Sequence, residues 1–228
     1  MQLTQVIAVY LAEKEGEQRA EFPDIERGMK VFQDYLNDWT AVPVAKVTQI
    51  SAMHFQEFFG WWYIRKCRPT PAMARHLLMV MEDFCNFVLR RYDVNLLPIY
   101  RPVLDELKEA LPRVLTLQSA ISPIKSQEYL RYAVASYGEE GAKRMGAIGD
   151  YEDIIADYMK VVDLGEGTDI CLRTLTDNYD IGPITIPLEA ARLVREGDVI
   201  YLEVGEKEGA WEIIDSGFAY PWVPVDLS

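Results

Sequence analysis

The chain has 228 residues, half of them hydrophobic and 26% charged, with a formal net charge of −13. This length and apolar content exclude a disordered chain and allow one large domain or two small ones. No stretch reaches the roughly 18–20 apolar residues of a membrane span, and the net charge argues against a nucleic-acid binder that uses its whole surface.

The start, MQLTQVIAVYLAEKEGE, lacks a basic opening and meets charge too soon for a secretory signal, so a cytoplasmic protein is expected. Leu3, Val6, Ile7, Tyr10 and Leu11 predict a first helix. A second follows Pro23, with Ile25, Met29, Phe32, Leu36 and Trp39 at helical spacing. Thr40 to Lys46 reads as a loop, because Pro43 removes a donor and pushes Val42 towards an extended conformation.

Two amphipathic helices then span Val47 to Tyr92. The first, from about Ser51 to Lys66, presents Phe55, Phe58, Phe59 and Trp62 on one face. Trp61 and Trp62 cannot both face one core, so one of them marks an exposed apolar patch. The second helix opens with Thr70 as its cap and Pro71 at the first helical position. Met73, Leu77, Met81, Phe84, Val88 and Tyr92 mark its buried stripe. A further helix is expected from near Pro102, with Pro112 kinking or ending it. Residues 113–125 read equally as helix or extended linker, Ser126 to Tyr137 as helix, and the glycine-rich segment 138–150 as loop. A short helix is expected around Tyr151–Asp157.

From about Tyr158 the period changes. VVDLGEGTDICLRTL holds two β-rich runs around Gly165–Gly167, and Ile184 to Ile186 reads as a third strand. Leu188 to Val194 reads as a turn or two of helix after Pro187. VIYLEV alternates with Ile200, Leu202 and Val204 on one face, and Ala210 to Asp215 pairs with it across GEKEG. The expected fold class is therefore α+β: a mostly helical domain over 1–140, a linker with the short helix over 141–157, and a small acidic β-barrel-like domain over 158–228.

Charge is distributed unevenly. Residues 41–101 carry 8 basic and 4 acidic side chains, net +4, whereas 161–228 carry 4 and 14, net −10. The positive island coincides with the helix pair. Its order of elements resembles the core-binding, SAM-like domain of tyrosine recombinases and phage integrases. The entry Val47-Thr48-Gln49-Ile50 precedes a helix, Arg65-Lys66-Cys67-Arg68-Pro69-Thr70-Pro71 leads into a threonine-capped second one, and that one runs through Met81 to Val88 with a late Phe84. The resemblance covers 90–100 residues. It implies a helical bundle that holds duplex DNA through phosphates, with Lys46, Arg65, Lys66, Arg68, Arg75, Arg90 and Arg91 as the contacting residues. The recombinase catalytic domain has no counterpart. The two histidines, His54 and His76, lack an arginine three residues on, and the second half is acidic and β-rich.

Each other candidate has a plainer reading. The aromatic cluster Phe58, Phe59, Trp61, Trp62 and Tyr63 could stack bases, but core packing suffices. His54 and His76 have no ligand partners at metal spacing. Lys66 and Arg68 would favour the thiolate of Cys67, but an ordinary loop cysteine is the better reading. Asp163, Glu166, Asp169, Asp177 and Asp180 do not follow a calcium-loop pattern. The expectation is a non-enzymatic binding protein without a cofactor, with duplex DNA as partner. The rival reading is a protein-interaction module that binds no DNA and self-associates through exposed aromatics.

Overall fold

The computed structural model describes residues 1–17, 20–121, 136, 138 and 151–222. These form an α+β protein, helical first and then a five-stranded sheet. The chain divides into two compact units, Met1–Pro112 and Arg113–Ser228.

In the first unit, α1 (Leu3–Glu17) buries Leu3, Val6, Ile7 and Tyr10, and α2 (Phe22–Asp38) buries Ile25, Met29, Phe32, Tyr35 and Leu36. The segment after α2 doubles back: Val44 N–H donates to the Leu36 carbonyl and Leu3 N–H to that of Ala45. A 3-10 turn at Val47–Gln49 leads into α3 (Ala52–Glu57), a π-helical turn (Phe58–Trp62) and α4 (Tyr63–Cys67). The π turn is visible in Tyr63 N–H donating five residues back to Phe58. It lets Phe58, Phe59, Gly60, Trp62, Tyr63 and Ile64 all be buried, which a strict 3.6-residue period does not allow.

α5 (Pro71–Tyr92) is the central element. Leu77, Met81, Phe84 and Val88 are buried as expected, and so are Ala74, Leu78, Val80, Cys85 and Phe87. Met73, at the expected start of the stripe, is 39% exposed because the first turn overhangs the core. α6 (Leu97–Ile121) begins five residues before Pro102. Asn95 Oδ1 caps it by accepting from Leu97 N–H, and Pro98 occupies its first turn. It runs on through Pro112, so that proline does not end the helix. Pro102 and Pro112 each remove one backbone bond; burial of Tyr100, Val103, Leu107 and Leu111 holds the helix nonetheless. The expected helix over 126–137 and loop over 138–150 fall outside the described residues, apart from 136 and 138.

In the second unit, the short helix expected at Tyr151–Asp157 is replaced by the start of a strand. β1 (Asp153–Leu164) pairs over Asp153 to Lys160 with β4 (Val199–Lys207), and those cross-strand bonds outweigh any local helical tendency. β1 turns at Gly165–Gly167 into β2 (Asp169–Thr174), which pairs with β3 (Asp180–Thr185). A short α7 (Leu188–Ala191) connects to β4, and β4 pairs with β5 (Ala210–Tyr220) across a turn in which Glu208 and Gly209 both have positive φ. A single parallel pair, Ile184 with Trp211, joins β3 to β5, so the order β1-β2-β3-β5-β4 returns to its start. Met159, Val161, Ile170, Leu172, Ile181, Ile184, Ile200, Leu202 and Val204 fill the interior.

Candidate nucleic-acid interface

The turn between α4 and α5 is built by three local devices. Arg68 ends α4 in the left-handed region (φ 47°, ψ 55°), with its N–H donating to the Ile64 carbonyl at 3.2 Å. Thr70 starts α5, its Oγ1 accepting from Met73 N–H at 3.2 Å, and Pro71 follows at the first helical position. At the other end of the α3–α4 segment, Ser51 N–H donates to His54 Nδ1 at 3.0 Å. Burial lowers the His54 imidazole below its ordinary value, against the opposing pull of Glu57. His54 thus caps the start of α3.

All seven expected contact residues are exposed, but they do not form one patch. Arg65, Lys66, Arg68 and Arg75 gather about the α4–α5 turn. Lys46 precedes the 3-10 turn, at the opposite end of the α3–α4 segment, roughly 20 Å of helix away. Arg90 and Arg91 lie in the last turn of α5, about 20 Å along that helix from Arg75. There Arg90 Nη2 sits 3.9 Å from Glu13 Oε1. The sequence cannot place these groups, because helix length decides which cations can act together.

The central four have a distinctive setting. Among the described residues Arg65, Lys66 and Arg75 form no ion pair. Instead the Arg65 guanidinium lies 5.5 Å from the Trp61 ring centre, and Lys66 Nζ lies 4.2 Å from that of Trp39, both cation–π distances. Trp39, expected inside, is 53% exposed and meets Trp62 edge-on at 5.9 Å. Its position at the end of α2 carries it past the core. Trp62 is buried, and its Nε1 has no hydrogen-bond partner among the described residues.

The backbone adds to this field. The first turn of α5 has no acidic residue. Arg68 and Arg75 stand at the end of a 22-residue helix where the macrodipole already contributes positive charge. Two cations at that end add to the positive charge of the helix terminus, and an anion there would relieve the repulsion, although Pro71 has no N–H to offer and that of Met73 already donates to Thr70 Oγ1. The neighbouring thiol takes no part. Burial pushes the Cys67 thiol up to about 11, which fits an ordinary cysteine rather than one activated by Lys66 and Arg68. No cluster of three metal-ligating side chains occurs among the described residues, and no described helix is long and apolar enough to cross a membrane.

No family model, no curated protein and no solved structure matches this chain.

Proposed function

We propose that this chain is a non-enzymatic binding protein whose helical unit contacts the phosphates of duplex DNA through Arg65, Lys66, Arg68 and Arg75. The observation that carries the reading is the gathering of these four cations about the turn that opens α5, three of them without a carboxylate partner among the described residues. The helix–turn–helix order, with its threonine-capped second helix, supports a core-binding scaffold of the recombinase kind that carries no catalytic domain. Lys46, Arg90 and Arg91 are too distant to share one groove edge with the four and take at most a peripheral part.

A five-stranded barrel of OB type is the alternative nucleic-acid binder on fold analogy alone. Its charge argues otherwise: residues 151–222 hold 16 acidic and 5 basic side chains. DNA contact therefore belongs to the helical unit.

The test is binding of the full chain to a labelled duplex, followed by fluorescence anisotropy over a salt series. Affinity should fall steeply with salt, and Arg65→Ala with Arg68→Ala should reduce the logarithmic slope by roughly two. No binding at low salt would end this reading. A second reading, a protein-interaction module without DNA affinity, draws on the exposed apolar pair Trp39 and Val42, the latter 73% exposed. It predicts that Trp39→Ala abolishes capture of a partner while leaving DNA irrelevant.

A further inference from the structure

The outer face of β1, β4 and β5 combines aromatic rings with carboxylates. Antiparallel pairing sets Tyr158 opposite Tyr201, Ala156 opposite Glu203, and Glu203 opposite Asp215. Glu203 lies between the buried Leu202 and Val204, so alternation turns it outward. Two carboxylates across a strand pair concentrate negative potential, an arrangement that strands normally avoid.

Beside them the Tyr201 ring lies across Gly217, where a Cβ would come within 2.9 Å of it, and it meets Tyr158 edge-on at 5.2 Å. Glycine at 217 thus keeps an aromatic plate flat next to the acidic pair. Ile154, 48% exposed, and the exposed Ala156 extend the patch. The one cation on the outward row of β1, Lys160, stands four residues along the strand from Ala156, the position that faces Glu203.

Flat rings beside carboxylates suit guanidinium and ammonium groups, by cation–π contact and charge-assisted hydrogen bonds together. The chain itself offers such a surface. Arg65, Lys66, Arg68 and Arg75 project around one turn, flanked by the Trp39 and Trp61 rings. We propose that the acidic, aromatic face of β1, β4 and β5 in one copy docks the cationic α4–α5 turn of a second copy. The contact joins two different surfaces, so it is heterologous and leads to rings or short filaments unless two copies engage reciprocally. The net charge of −13 opposes approach at long range. Salt on the order of 0.1 M, with a Debye length of about 10 Å, screens that repulsion while contact pairs persist. The inference stands independently of DNA binding, although the same cations would serve both.

Sedimentation velocity of the full chain over a concentration series tests it. The wild type should associate with rising concentration, and Glu203→Lys or Arg65→Glu should each weaken association by roughly tenfold or more. An equimolar mixture of the two variants should regain it, because the intact turn of one meets the intact face of the other. Glu203→Gln, which removes the charge without adding bulk, serves if Glu203→Lys fails to fold, and it too should weaken association. A chain that stays monomeric at every concentration, association indifferent to both substitutions, or a mixture that recovers nothing would each overturn the proposal.

Discussion

Arg113 holds Asp198 with both arms of its guanidinium, Nη1 to Oδ2 at 2.6 Å and Nη2 to Oδ1 at 2.7 Å. The Asp198 side chain is 1% exposed and that of Arg113 18%. Arg195 N–H donates to the same carboxylate at 2.8 Å, and Arg113 Nη1 also reaches the Leu193 carbonyl. The pair pins the C-terminal half of α6 to the turn before β4. Removing one partner leaves the other buried and charged, so Arg113→Ala should cost about 3–5 kcal/mol. Arg113→Lys should lose part of that, since an ammonium cannot bridge both oxygens. Denaturant midpoints at constant m-value measure both.

Arg68 occupies left-handed backbone that glycine adopts freely. Arg68→Gly should therefore stabilise the chain by about 1 kcal/mol and, under the proposed function, weaken DNA binding. A variant that gains stability and loses affinity separates the side chain's charge from its role in the fold. Thermal unfolding and the anisotropy titration, run on the same preparation, supply the two readings.

His54 makes stability depend on pH on the acid side. Its folded-state value is lowered by burial, so below the ordinary value of about 6.5 the unfolded chain binds the proton first. The contribution of His54 is complete above that value and is lost as pH falls towards the lowered one. Glutamine also accepts at this capping position. His54→Gln should flatten the dependence between neutral pH and about 5, measured as unfolding midpoints across buffers.

The alkaline limb has other sources. Burial raises Tyr10, Tyr63 and Tyr100, and Asp83 adds to the effect at Tyr10. Lys14 is also raised: burial opposes its charge, but hydrogen bonds to Asp83 and Glu17 prevail. In every case the folded chain keeps its proton longer, so the stabilisation is complete below the unfolded value and is lost as pH rises past about 10. Tyr100 donates to the Leu78 carbonyl at 2.6 Å. Tyr100→Phe should lower stability at neutral pH by about 1 kcal/mol and shallow the loss above pH 10.

Periodicity exposes α2 and α5 because their buried residues recur at one spacing, and the cap at Thr70 with Pro71 is readable from chemistry alone. The Phe58–Trp62 segment is not, since its π turn buries residues that a 3.6-residue pattern sends to opposite sides. Tyr151–Asp157 misleads for a different reason: β1 exists through its partner β4, some fifty residues on. The basic side chains at the candidate interface are legible as exposed charges. Their division into separate groups is not, because it follows from helix lengths, and neither is the strain at Arg68, for arginine signals no left-handed turn. Asp198 looks like an ordinary turn aspartate until Arg113, 85 positions earlier, is brought beside it.

The ring of strands has a seam. Eight residue pairs join β4 to β5 and eight join β1 to β4, but Ile184 with Trp211 alone links β3 to β5. A closed sheet is only as continuous as its thinnest join, and thermal breathing that parts this one link turns a ring into a curled ribbon while the rest of the ladder stays intact. Amide protons of β3 and the facing half of β5 should accordingly exchange with deuterium well before those of β1 and β4. The edges freed by such an opening are also where an added strand from another chain would find unpaired N–H and C=O groups.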